Sequence, residues 1–211
     1  MEKANCNIAV KDCMSALRKI KDASFATVDA DGRPQVRIID IMLADDEAVY
    51  FCTARGKDFY KELMATGMVS VVGLTDDWKM IRINGTARKL ENQKEWIDKI
   101  FVENPSMNSV YPGDARYVLE PFTIDRGSAE YFDLAEEPIY RRSLGFGGEK
   151  AVAKGFVVEK EKCIGCGICA EACPQKSIDI SEDKAEIRQE NCLHCGLCSE
   201  KCPSEAIKRR N

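Results

Sequence analysis

Apolar residues recur along this chain with two alternating periods. Over residues 9–23 (AVKDCMSALRKIKDA), Val10, Met14, Leu17 and Ile20 fall at helical spacing with Lys and Asp opposite, which predicts an amphipathic helix. The period then shortens to two. Phe25-Ala26-Thr27-Val28 reads as a strand, Asp29-Ala30-Asp31-Gly32 as a turn, and residues 34–43 (PQVRIIDIML) as a second strand. Asp45-Asp46-Glu47 turns into a strand over Ala48–Cys52, followed by a helix over 58–65 and strands over 68–74 and 79–89. A helix over 92–102 carries Trp96 and Ile100 on one face, and strands over 117–124 and 129–132 complete the set. Short strands joined by hairpins, with helices between them, predict an α+β fold built on a small antiparallel barrel. Gly145, Gly147, Gly148 and Gly155 punctuate the chain beyond the last of these strands. The partition therefore reads 1–148 as the barrel domain, 149–155 as a linker and 156–211 as a second domain.

In that second region the pattern is set by cysteine. Cys163, Cys166, Cys169, Cys173-Pro174 and Cys192, Cys195, Cys198, Cys202-Pro203 each spell C-x2-C-x2-C-x3-C-P, 29 positions apart. A thiolate at every third residue wraps three corners of an iron–sulfur cube, and the fourth closes the cluster of the other copy. The expected ligand sets are therefore Cys163, Cys166, Cys169 and Cys202 for one [4Fe–4S] cluster, and Cys192, Cys195, Cys198 and Cys173 for the second. A disulfide framework needs an oxidising compartment, and no apolar leader is read at Met1–Cys6. Zinc sites need neither the third cysteine nor the proline. The flanks repeat as well, Phe156-Val157-Val158 against Ala185-Glu186-Ile187 and Ser177-Ile178 against Ala206-Ile207. Gly167 and Gly196 follow the second cysteines, where backbone amides approach cluster sulfide. Ile164, Leu193, Ile168 and Leu197 supply apolar cover. Residues 155–210 resemble the bacterial two-cluster ferredoxins, which makes electron handling the first functional expectation.

Charge narrows the partners. The 211 residues carry a formal −4, of which −1 falls in 156–211, and two bound clusters bring that region to about −5. This disfavours nucleic acid, because phosphate binding needs a basic face; Lys208-Arg209-Arg210 reads as a solvated tail. No apolar run reaches bilayer length, so the expectation is a cytoplasmic protein with no membrane contact, from an anaerobe because exposed cubanes are oxygen-sensitive. Cys6, Cys13 and Cys52 lack ligand spacing and read as reduced thiols, Cys52 buried in a strand.

The first 150 residues also carry a resemblance. The stretch A-T-V-D-A-D-G-R-P-Q-V-R (26–37), Val49-Tyr50-Phe51-Cys52-Thr53 followed by Lys57, and Ile81-Arg82-Ile83-Asn84-Gly85-Thr86-Ala87 resemble, over residues 8–146, the pyridoxamine-phosphate-oxidase-like split β-barrel. That is a family of FMN-binding dimers. The resemblance implies FMN here, with its phosphate at Arg37, Thr53 and Lys57, Arg55-Gly56 close by, backbone groups of Ile38 and Ile39 at the isoalloxazine edge, and Arg82 as a further cation. The plain alternatives are a strand-face charge for Arg37 and Arg82, and a solvated helix start for Lys57. Trp78 and Trp96 read as core or dimer contacts ahead of flavin stacking partners. The family's namesake carries an Arg-x-His substrate pair; the single histidine of this chain, His194, lies inside the second cysteine motif, where the first has Gly165. Pyridoxamine phosphate oxidation and axial haem ligation are both disfavoured by that placement. His194 itself reads either as an exposed loop residue or as a hydrogen-bond partner near a cluster sulfur.

The expected function is a flavo-iron–sulfur oxidoreductase, homodimeric through the barrel. It would move electrons between one-electron carriers and a two-electron partner through two [4Fe–4S] clusters and FMN. An external protein donor or acceptor is implied. The substrate is open, and no general acid or base is ranked among Asp40, Tyr50 and Tyr111. The alternatives are a non-enzymatic electron-transfer protein and a ferredoxin dimerised by a flavin-free barrel.

Overall fold

Helix α1 (Val10–Ile20) opens the architecture in the computed structural model, which describes residues 7–210. The Asp12 carboxylate accepts the Ala9 amide at 2.8 Å, occupying a donor that the helix start leaves over. Cys13, Met14 and Leu17 form its buried face. The last turn carries Arg18, whose guanidinium donates to the carbonyl of Ile41 at 2.7 Å.

Strand β1 (Asp22–Val28) pairs antiparallel with β2 (Pro34–Asp40), placing Phe25 opposite Arg37. The predicted strand over 34–43 is broken: β2 stops at Asp40, Ile41 and Met42 turn into the core, and β3 is only Leu43–Ala44. Next come β4 (Val49–Ala54), α2 (Asp58–Thr66), β5 (Met68–Leu74), β6 (Lys79–Lys89) and α3 (Gln93–Glu103). A short helix α4 (Met107–Val110) and a 3-10 turn over 113–118 lead to β7 (Leu119–Asp133), one strand of 15 residues where the alternation suggested two. Strand β8 (Tyr140–Phe146), which the sequence pattern did not suggest, pairs with β7. The sheet order is β2-β1-β5-β6-β7-β4-β3, an antiparallel curled sheet.

Two apolar clusters fill the first half of the chain. Phe25, Phe51, Phe59 and Phe122 cluster together, Phe51 stacking on Phe122 at 5.5 Å and meeting the tilted Phe25 ring at 4.9 Å. Met42, Cys52, Leu119 and the α3 residues Ile97, Ile100 and Phe101 form the second. Adjacent β4 residues thus serve opposite faces, Phe51 one and Cys52 the other, as strand pleat requires. Trp78 is 62% exposed and no core residue, whereas Trp96 is half-buried and stacks on Tyr50 at 5.1 Å.

The second half repeats itself. Strand β9 (Phe156–Val158), α5 (Ile168–Ala172) and β10 (Ile178–Ser181) are followed by β11 (Lys184–Ile187), α6 (Leu197–Glu200) and β12 (Ile207–Arg209). Pairing crosses between copies: β9 with β12, and β10 with β11. Two compact units result, and neither is contiguous. The first takes the described residues up to Asp76 with 80–131 and 144–151; the second takes 77–79, 132–143 and the residues from Val152 on. Among the described residues no helix is long and apolar enough to cross a membrane. Cys6 lies outside the described residues.

Candidate cluster cradles and cofactor cleft

Crossed strand pairing brings cysteines from different copies together. Cys163, Cys166, Cys169 and Cys202 line one cradle with Ile164, Ile180 and Ile207, around about 310 Å³ of empty space partly continuous with solvent. Cys173, Cys192, Cys195 and Cys198 line the other with Phe156, Ile178 and Leu193, around about 330 Å³. Among the described residues, no three or more Cys, His, Asp or Glu side chains converge on a point as a single metal ion requires. The thiols surround a void instead.

Backbone amides are aimed at the sulfurs, and for the fourth cysteine of each motif the donor repeats in register. Ser177 N donates to Cys173 Sγ at 3.4 Å, and 29 positions on, Ala206 N donates to Cys202 Sγ at 3.3 Å. Ala185 N reaches Cys163 Sγ at 3.3 Å and His194 N reaches Cys192 Sγ at 3.4 Å. Their electrostatic effect is legible in the thiols. Burial pushes Cys173 up, but the Ser177 hydroxyl and amide, with the Gln175 and Lys176 amides, bring it below its ordinary value. At Cys202 burial is likewise outweighed by the Ser204 hydroxyl and the Ala206 amide. At Cys198 burial prevails, with Cys192 adding to it, and the thiol is pushed up to about 11. At Cys192 burial again raises the thiol, against the His194 amide and the Arg141 guanidinium. Donors to a thiolate favour its charged form, the form in which cysteine ligates iron.

His194 is half-buried; its backbone amide donates to Cys192 Sγ, and its ring Nδ1 pairs with the Arg141 guanidinium. Its backbone has φ 59°, in the left-handed region that Gly165 occupies in the first copy at φ 68°. At Gly165 a Cβ would meet the Asp183 carbonyl oxygen at 2.4 Å, which explains the glycine there. Arg141 was not among the residues singled out in the sequence. It lies outside both motif copies, on a strand with no apolar alternation to announce it.

A cleft with about 1060 Å³ of empty space, partly continuous with solvent, is lined in the first unit by Asp29, Asp31, Gln35, Arg37, Ile38, Ile39, Lys57, Asp58, Phe59 and Glu62. Four residues expected near a flavin thus share one cleft: Arg37, Ile38, Ile39 and Lys57. Arg37 is held in place. Its Nη2 donates to Glu62 Oε2 at 2.8 Å, its Nη1 to the Thr27 hydroxyl, and its guanidinium lies 4.6 Å from the Phe59 ring centroid. Thr27 donates in turn to Glu62, and both are buried. Among the described residues Lys57 has no ion-pair partner, while the other charges of the cleft are engaged. Asp31 pairs with Arg33, Asp58 with Lys61, and Asp29 accepts the Arg33 and Asp31 amides and Gln35, which holds its carboxyl below the usual range.

The remaining three flavin candidates sit elsewhere. Thr53 does not line the cleft: it is 2% exposed, and its hydroxyl has no hydrogen-bond partner among the described residues. Arg55 pairs with Glu120 at 2.8 Å, which Lys89 also approaches at 3.6 Å. Arg82 pairs with the buried Glu130. The polar candidates Asp40, Tyr50 and Tyr111 also lie off the cleft; Tyr50 donates to Asp45 at 2.6 Å. For a phosphorylated flavin the fit is at one end. Lys57 and Arg37 supply donors there, while the buried Thr53 hydroxyl, outside the cleft, lacks a partner among the described residues.

Comparison with known proteins agrees with this division. The sequence model of the family described as pyridoxamine 5'-phosphate oxidase matches residues 10–128, and that of the 4Fe-4S dicluster domain matches 162–206. No curated protein matches the chain. Among solved structures, a NimC/NimA family protein from Clostridium acetobutylicum is 17% identical over 64% of this chain and 92% of its own, with a TM-score of 0.54. A protein related to general stress protein 26, of the pyridoxinephosphate oxidase family and from the same organism, is 12% identical over 65% and 96%, with a TM-score of 0.53. A heme binding protein from Mycobacterium smegmatis is 10% identical over 66% and 59%, with a TM-score of 0.51. At such identities the likeness is one of fold.

Proposed function

The chain belongs to the pyridoxamine 5'-phosphate oxidase family, whose sequence model covers more than half of it, and from that membership we propose a flavo-iron–sulfur oxidoreductase. It moves electrons between one-electron carriers and a two-electron partner. The observation that carries the reading is the crossed composition of each cradle, three cysteines from one motif copy and one from the other. That composition is what two [4Fe–4S] clusters require.

Cys163, Cys166, Cys169 and Cys202 hold one cluster, and Cys192, Cys195, Cys198 and Cys173 the second. Apolar side chains flank the sulfurs, and the amide donors favour the thiolate form. In the barrel, Lys57 and Arg37 hold the FMN phosphate. Ile38 and Ile39 offer backbone groups to its ring. Glu62 and Thr27 orient Arg37 from behind. FMN bound there supplies exchange of either one or two electrons. Arg55 and Arg82, engaged with Glu120 and Glu130, act as supports of the fold around the cofactor.

A second copy of the chain completes the barrel. Val36, Ile38, Met68 and Val72 are exposed on the β2-β1-β5 face, with Ile38 and Val72 in one row across Ser24. A sheet face carrying several exposed apolar side chains suits burial in a homodimer. The alternative reading, an electron-transfer protein without turnover, is favoured by the prior engagement of the cleft carboxylates in ion pairs and hydrogen bonds. Anaerobic purification with FMN, iron and sulfide quantified per chain tests the proposal. One FMN and eight irons per chain are expected. Two clusters without flavin overturn the oxidoreductase, and flavin reduced without turnover across a panel of two-electron acceptors leaves the carrier.

A further inference from the structure

Each cradle has a cation beside it, and the two come from different places. At the first cradle Lys184, on β11, donates to the Cys163 carbonyl at 2.6 Å. The repeat would put the corresponding side chain 29 residues earlier, and that position is Gly155. The exchange is reciprocal. Where the first copy has Gly165 in its ligand loop, the second has His194, and the room for the imidazole is the side chain missing at Gly155. A Cβ there would lie 2.8 Å from His194 Nε2.

A segment outside the repeat supplies a cation at the second cradle. Residues 132–143 belong to the second unit, and they are tied to both flanks of the second cradle. Ile139 N donates to Gln175 Oε1 at 3.0 Å, two residues beyond Cys173. Its carbonyl accepts from the buried Asn191 Nδ2 at 2.9 Å, one residue before Cys192. Two residues further along, Arg141 lies with its guanidinium 4.5 Å from the Phe132 ring centroid and donates to His194 Nδ1. The Phe132 ring and the His194 acceptor both contact the guanidinium, and guanidinium stays charged at every relevant pH.

We propose that Arg141 is the cation that sets the reduction potential of the second cluster selectively, raising it above the value the same cradle gives without that charge. The proposal rests on the reading of both cradles as [4Fe–4S] sites. One-electron reduction makes a cluster more negative by one charge, so a cation fixed beside it stabilises the reduced form more than the oxidised form. His194 and Phe132 are its positioning residues.

The test uses the full chain, purified anaerobically, with iron and sulfide quantified and both couples followed by potentiometric titration with EPR detection. Arg141→Gln is expected to lower the reduction equilibrium of one couple about tenfold, about 59 mV for one electron, and to leave the other in place. Arg141→Lys is expected to restore most of that shift, and Lys184→Gln to leave the Arg141-sensitive couple unmoved. Arg141→Gln with both clusters loaded and neither couple moved overturns the proposal, as does an equal movement of both. Should Arg141→Gln fail to load the second cluster, Arg141→Lys decides: a couple within about threefold of the wild type supports the assignment, and a tenfold loss overturns it. A wild-type chain without two clusters overturns the cluster reading itself.

Discussion

Arg37 does two jobs, and they separate by mutation. Its guanidinium neutralises the buried Glu62, so Arg37→Ala leaves a carboxylate with only the Thr27 hydroxyl as donor. A loss of about 2 kcal/mol in urea unfolding is expected, less than for a fully buried pair because Arg37 is partly exposed, and Glu62→Gln in the same chain should recover most of it. Lys57 has no such internal duty. Lys57→Gln is expected to weaken flavin binding about tenfold with unchanged unfolding, read by fluorescence titration of FMN. The non-ligand thiols give a pH-dependent expectation. Burial, with Asp12 adding to it, pushes Cys13 from 9.0 to about 12, and burial with Asp40 does the same to Cys52. Both therefore hold their protons more tightly folded than unfolded. Their contribution is complete below pH 9 and is lost as pH climbs from 9 toward 12. At pH 8 iodoacetamide should leave both unmodified until the chain unfolds, as mass spectrometry would show.

At the scale of the elements, backbone approach governs the middle of the sheet. A Cβ at Gly85 on β6 would meet the Arg126 carbonyl oxygen at 2.5 Å, and one at Gly127 on β7 would meet that of Asn84 at 2.3 Å. Gly85→Ala or Gly127→Ala must push the strands apart, at about 2 kcal/mol each, visible as a lowered Tm without change in iron content. Elements with a clean period were legible in the sequence: β5 and β6 are where their alternation put them, because one face of each is buried and the other solvated, while α1 stops at Ile20 and residues 22–23 of the expected helix open β1. The cysteine spacing likewise announced which thiols share a cradle. What escaped lacked a periodic burial difference. All of β8 except Phe146 is half-buried, so no alternation marks it, and the bend that ends β2 comes from Ile41 and Met42 entering the core, a tertiary event. The family resemblance names Arg37 and Lys57, which line one cleft. The engagement of Arg55 and Arg82 by Glu120 and Glu130 was not, since those partners lie 65 and 48 positions away.

For the whole molecule, the cluster region and the flavin barrel have separable contributions. Stripping iron with a chelator under reducing conditions is expected to leave flavin bound but to abolish its reduction by a one-electron protein donor, while direct chemical reduction persists; absorbance bleaching under anaerobic titration distinguishes the two. The second unit is a composite of three chain segments, 77–79, 132–143 and 152 onward, and this bears on portability. Gene fusions are commonly pictured as cassettes spliced at a linker. Here the spliced piece would need Gln175 and Asn191 to receive Ile139, and a histidine to receive Arg141. A foreign ferredoxin grafted in at residue 152 is therefore expected to load iron yet melt below the parent, because its host has already been tailored to one guest.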